Sequence, residues 1–148
     1  MRCLTPIRAY GNGGDATELV RMLIVKCMNS YLERSYRQTM TNYVFIESRD
    51  PFESHDTRFV VDTAIALKLR DNEVTVFLVQ NGVLACRKNA TSSHLPQLAK
   101  AGITLLADEF SLCERGIQPP EMTTGVQPST IDALVDLLAR ENTKAIWH

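Results

Sequence analysis

Four cysteines, Cys3, Cys27, Cys86 and Cys113, have the widest chemical reach of any residues in this chain of 148. None stands at the short spacing of a metal-binding pair, and no secretion signal is evident, so reduced thiols in a cytoplasmic setting are expected. A thiol acts as nucleophile or sulfur carrier through its thiolate, which nearby cations or a helix N-terminus favour. Cys86 is followed by Arg87 and Lys88, while Cys113 has Arg115 nearby but also Asp108, Glu109 and Glu114. Local charge therefore favours Cys86. The plainer alternative for either is a small buried hydrophobe. Cys3 and Cys27 are expected to be incidental.

Other chemistry finds little support. His55, His94 and His148 lack metal-ligand spacing, and no metal site is expected. Asp50, Glu53 and Asp56 suit a solvated approach to a helix better than acid–base catalysis. Gly11-Asn12-Gly13-Gly14 follows no strand and lacks the Lys-Ser/Thr pair of a phosphate loop, and no Gly-x-Ser-x-Gly motif is present.

The elements that must position Cys86 and Cys113 follow from periodicity. Tyr43–Ile46 reads as a strand, Asp56–Arg70 as a helix with Val60, Val61, Ala64, Ile65 and Leu67 on one face, and Val74–Val79 as a strand buried on both sides. Ser92 or Ser93 is expected to cap a second helix that contains Pro96 and stops at Gly102. Ile103–Ala107 is a third strand, followed by about twenty residues without a strong period. Ser129 is expected to cap a last helix, with Asp132 completing a capping box and Ile131, Leu134, Val135 and Leu138 facing inward. Lys144–Trp147 reads as a closing strand.

Strands alternating with helices predict a small doubly wound α/β fold, its sheet mainly parallel with helices on both faces. Ligand sites in such sheets lie beyond the carboxyl ends of the strands. That rule selects Ser48–His55, Gln80–Ala90 and Asp108–Gln127, and the last two contain Cys86 and Cys113.

The hydrophobic share of 45%, charged share of 22% and aromatic share of 7% indicate a globular chain of one domain. A net charge of −1 gives no basic field for nucleic acid, and no apolar run is long enough to span a membrane. Six basic against three acidic residues give residues 1–40 a charge of +3, while the ten basic and fourteen acidic residues that follow give −4. Residues 1–40 are thus expected to be an N-terminal extension, an accessory helix over about Ala16–Arg37 capped by Asp15 or upstream sequence, and residues 41–148 the α/β domain.

At Gln80-Asn81-Gly82-Val83 and Cys113-Glu114-Arg115-Gly116-Ile117 the chain resembles the DsrE/DsrF-like family of small sulfur-relay proteins, over roughly Thr41–His148. The resemblance implies a flavodoxin-like fold, assembly into trimers, hexamers or mixed complexes, and sulfur carried as a cysteine persulfide. The family's active cysteine ends a strand several residues before the Arg-Gly-Ile/Leu segment. Asp108 stands near that place here, and Cys113 lies two residues before Arg115.

The expected function is intracellular sulfur transfer through Cys113, with Cys86 as runner-up or exchange partner. Arg115 is expected to hold an anionic sulfur species, Gly116 to supply a special turn, and Asn81 and Gly82 to shape the strand exit or meet a ligand. For Arg115 the alternative is a structural tie between the long loop and an acidic neighbour. No metal or organic cofactor is needed. Expected partners are sulfur donor and acceptor proteins or small persulfides, and further copies of the chain. The rival function is a non-catalytic oligomeric module that binds a small ligand or partner protein.

Overall fold

The structure, a computed structural model, describes residues 16–90 and 93–148. The chain divides into Met1–Thr39 and Met40–His148. In the first unit, helix α1 covers Ala16–Thr39, and residues 18–32 are all exposed, Leu19, Leu23 and Met28 among them. Cys3, Asp15 and the Gly11–Gly14 turn lie outside the described residues.

In the second unit the strands are β1 (Asn42–Glu47), β2 (Glu73–Leu78), β3 (Thr104–Asp108), β4 (Val126–Ser129) and β5 (Thr143–Trp147). They form one sheet in the order β4-β3-β2-β1-β5, and every pair is parallel. Helices α2 (Thr57–Lys68), α3 (Leu95–Lys100), α4 (Glu109–Glu114) and α5 (Ile131–Leu138) connect them. The expected α/β fold is present.

Alternation along the strands makes two cores. Phe45, Val76, Leu78, Leu105 and Ala107 face α2, α3 and α4, where they pack with Val60, Val61, Ala64, Leu98 and Leu112. Val44, Ile46, Phe77 and Val79 face the other way, toward Leu134 of α5. Because β1 and β2 are covered on both sides, their middles are unbroken apolar runs.

Four local expectations are corrected. The long segment after β3 contains α4, a 3₁₀ turn over Pro119–Glu121, and β4. β4 escapes sequence patterning because it is short and carries Pro128, which an edge strand tolerates. The cap of α5 is Thr130, whose hydroxyl accepts from Ala133 N, because Ser129 is still paired in β4. The helix also turns Leu134 and Leu137 inward and leaves Ile131, Val135 and Leu138 exposed. Finally, His94 rather than Ser93 occupies the cap position of α3, while Ser93 Oγ accepts from Leu95 N at 3.3 Å; Ser92 lies outside the described residues.

Candidate functional site

All three strand-end segments gather at the carboxyl edge of the sheet. β1 exits through Ser48, and β2 through Gln80 into a 3₁₀ turn, Gln80–Cys86. The exits touch at Gly82, whose N–H donates to the carbonyls of Ser48 (3.1 Å) and Val79 (2.9 Å). A β-carbon at Gly82 would collide with the carbonyl oxygen of Glu47, so the position requires glycine for close approach of two backbones. Gln80 takes a left-handed φ of 47°, and its N–H donates to Ser111 Oγ at 2.9 Å.

Asp108 ends β3 and caps α4. Its buried carboxylate accepts from Ser111 N at 2.8 Å and from Ser111 Oγ at 2.6 Å. The Ser111 hydroxyl thus links the exits of β2 and β3. Sequence patterning did not single out Ser111; an Asp followed three residues later by Ser was the available signal.

Arg115, Gly116 and Ile117 close α4. Ile117 N donates to Leu112 O at 3.0 Å and Gly116 N to Cys113 O at 3.1 Å, a Schellman closure with Gly116 at φ 62° and with Ile117 and Leu112 both buried. The special turn expected of Gly116 is there. The Arg115 guanidinium donates through Nε and Nη2 to Asn81 Oδ1 at 3.2 and 3.0 Å, and through Nη1 to Ser111 O at 3.2 Å. Arg115 therefore ties the α4 loop to the β2 exit, mainly through an amide rather than an acid; Glu114 is 3.5 Å away.

The two cysteines differ sharply. Cys86 is wholly buried at the end of its 3₁₀ turn, and burial pushes its thiol up to about 12. The charge argument for Cys86 is thereby corrected. Desolvation outweighs Arg87 and Lys88, whose side chains are exposed. Cys113 lies on the outer side of α4 with its thiol exposed. Cys27, on α1, is exposed as well.

Two further clusters lie at this edge. The chain leaves β3 into α4 on one face of the sheet and β4 into α5 on the other, so the two exits diverge. Between them a cleft of about 420 Å³ is lined by Asp108, Glu109, Phe110, Thr130 and Ile131. Beyond β1, His148 Nδ1 lies 3.1 and 3.0 Å from the two carboxylate oxygens of buried Glu47, and its Nε2 is 3.4 Å from Asp56. Asp56 is held below the ordinary carboxylate range, first by the Ser54 hydroxyl and also by Arg49. Sequence spacing gave no signal for this pairing of residues 101 apart.

The geometry thus defines an all-parallel α/β protein whose candidate site lies at the strand exits. The DsrE/DsrF-like family model matches residues 41–144, and the chain belongs to that family. Among solved structures, the ychN protein from E. coli is 19% identical, covers 72% of this chain and 100% of its own, and superposes with a TM-score of 0.64. MTH1491 from Methanobacterium thermoautotrophicum, described as a protein of unknown function, is 18% identical over 73% of this chain and 99% of its own, with a TM-score of 0.61. Both share the fold. No curated protein matches the chain.

Proposed function

We propose that the protein carries sulfur as a persulfide on Cys113 within a cytoplasmic relay. The observation that carries this reading is the contrast between the two thiols of the α/β unit: Cys113 is exposed at a strand-exit helix, whereas Cys86 is sealed. Family membership supports sulfur relay as the setting.

In the reaction, the Cys113 thiolate attacks the outer sulfur of a donor persulfide. A new S–S bond forms on Cys113, the donor's S–S bond breaks, and the donor leaves as a thiolate. An acceptor thiolate then attacks that outer sulfur and releases Cys113. The sulfur changes hands without net oxidation or reduction. Arg115 and Asn81 hold the C-terminal end of α4 in place. Trimeric or hexameric assembly belongs to the same reading, supported by Ile131, Val135 and Leu138 on the outer side of α5 and by exposed Trp147.

Incubation with a small persulfide should add one sulfur to Cys113, seen by intact-mass and peptide mass spectrometry without reductant. Cys113→Ser should abolish the gain, and Cys27→Ser should keep it. One observation favours the binding-module alternative. Asp108 stands near the place that the resemblance gives the family's active cysteine, and its carboxylate is committed to Ser111. Wild-type protein that gains no sulfur from any donor would make that alternative the better one.

A further inference from the structure

A groove of about 470 Å³ opens beside the C-terminal end of the Cys113 helix, lined by Arg87, Lys88, Asn89, Gly116, Pro120 and Glu121. Gly116 is three residues from Cys113 and donates its N–H to the Cys113 carbonyl. The opposite wall begins one residue after the buried Cys86. The groove therefore lies between the segments that carry the unit's two cysteines.

Its charge is cationic. Arg87 donates through Nη2 to Arg115 O at 3.1 Å, which anchors the guanidinium across the groove. Its Nε and Nη1 have no partner among the described residues, and neither does Lys88 Nζ. Glu121 is the one acid in the lining. Its carboxylate accepts from Gln118 N at 3.0 Å, leaving a net charge of +1. A guanidinium fork beside an ammonium recognises carboxylates, and the volume matches a ligand of a few residues' size rather than a protein face.

We infer that this groove binds the carboxylates of a small anionic thiol, so that the persulfide donor to Cys113 is an acidic, low-molecular-weight persulfide. The inference rests on the sulfur-carrier reading for the transfer itself. The binding site stands separately. As the Cys113 thiolate takes the outer sulfur, the donor departs as its thiolate with its carboxylates still held by Arg87 and Lys88.

The test uses the full chain and two matched donors, glutathione persulfide and the persulfide of glutathione diethyl ester, which lacks free carboxylates. Wild-type protein should gain sulfur at Cys113 about tenfold faster from the acid than from the ester, the size of one charge-assisted hydrogen bond at an open site. Lys88→Gln should remove most of that preference while leaving the ester rate within about twofold, because only its carboxylate contact is lost. Lys88 makes no side-chain hydrogen bond among the described residues, so its variant tests the charge without disturbing the loop. Equal rates from both donors would overturn the inference and leave the sulfur-carrier reading intact.

A second measurement needs no transfer. Titration of Cys113→Ser protein with glutathione, followed by NMR, should shift the amides of Lys88, Asn89 and Gly116, weaken with added salt, and weaken further in Lys88→Gln. If no sulfur is ever gained but this binding is seen, the anion site stands and the carrier reading falls. Absence of both the shifts and the donor preference would end the proposal.

Discussion

Arg115 closes two hydrogen bonds onto the side-chain oxygen of Asn81, a residue 34 positions earlier in the chain. The pair joins the exit of β2 to the end of the helix that bears Cys113. The Asn-Gly and Arg-Gly-Ile segments that carry the family resemblance are thereby the two sides of one structural joint.

That joint should appear as coupling. Asn81→Ala and Arg115→Ala, made singly and together, should show an interaction energy of about 1 kcal/mol in denaturant unfolding. Arg115→Lys should lose most of it, because an ammonium cannot reproduce the two-pronged donation from Nε and Nη2. Additive effects would mean that the contact contributes nothing to the fold.

Gly82→Ala should destabilise the protein by at least about 2 kcal/mol, since the new methyl group meets backbone rather than a flexible side chain. By contrast, a β-carbon at Gly116 meets nothing within 4 Å, so the cost of Gly116→Ala is its left-handed φ, about 1 kcal/mol. Thermal unfolding of the two variants should rank them in that order. The reverse order would show that the β1 and β2 exits can spread apart.

Cys86 should resist alkylation in the native protein. With its thiol pushed up to about 12, the thiolate fraction at pH 8 is about one in ten thousand, while exposed Cys113 labels readily. Peptide mapping after brief iodoacetamide treatment reads the difference. The same burial has a pH consequence. The folded state keeps the proton that the unfolded state releases above its ordinary value of 9.0, so the contribution of Cys86 is complete below about 9 and is lost as pH rises toward about 12. Wild-type stability should fall through that window more steeply than that of Cys86→Ala, by up to about 1.4 kcal/mol per pH unit. Parallel pH profiles would show that the thiol is hydrated.

A chain that starts at Met40 should unfold cooperatively on heating, because the sheet and both of its cores lie within Met40–His148. Calorimetry of this shortened chain beside the full one makes the comparison. Loss of a sharp transition would show that residues before Met40 belong to the folding unit.

Periodicity in the sequence determined the α/β class, the unbroken runs of β1 and β2, the helical face of α2, and the placing of Cys86 and Cys113 at strand exits. Those features are local, written in the spacing of apolar residues along a few turns or a few pleats. Gly116 was marked as a special turn through the Arg-Gly-Ile segment of the resemblance, while the helix that it ends, α4, was not read from the sequence. Tertiary structure alone decided the rest. β4 acquires its pairing from β3 rather than from its own pattern, and the orientation of α5 depends on which of its apolar residues meets Val44 and Phe77. The two thiols show the principle most plainly. Arg87 and Lys88 are neighbours of Cys86 in sequence, but the loss of water around a side chain is set by distant segments packing over it, and that loss outweighs charges whose side chains remain in solvent.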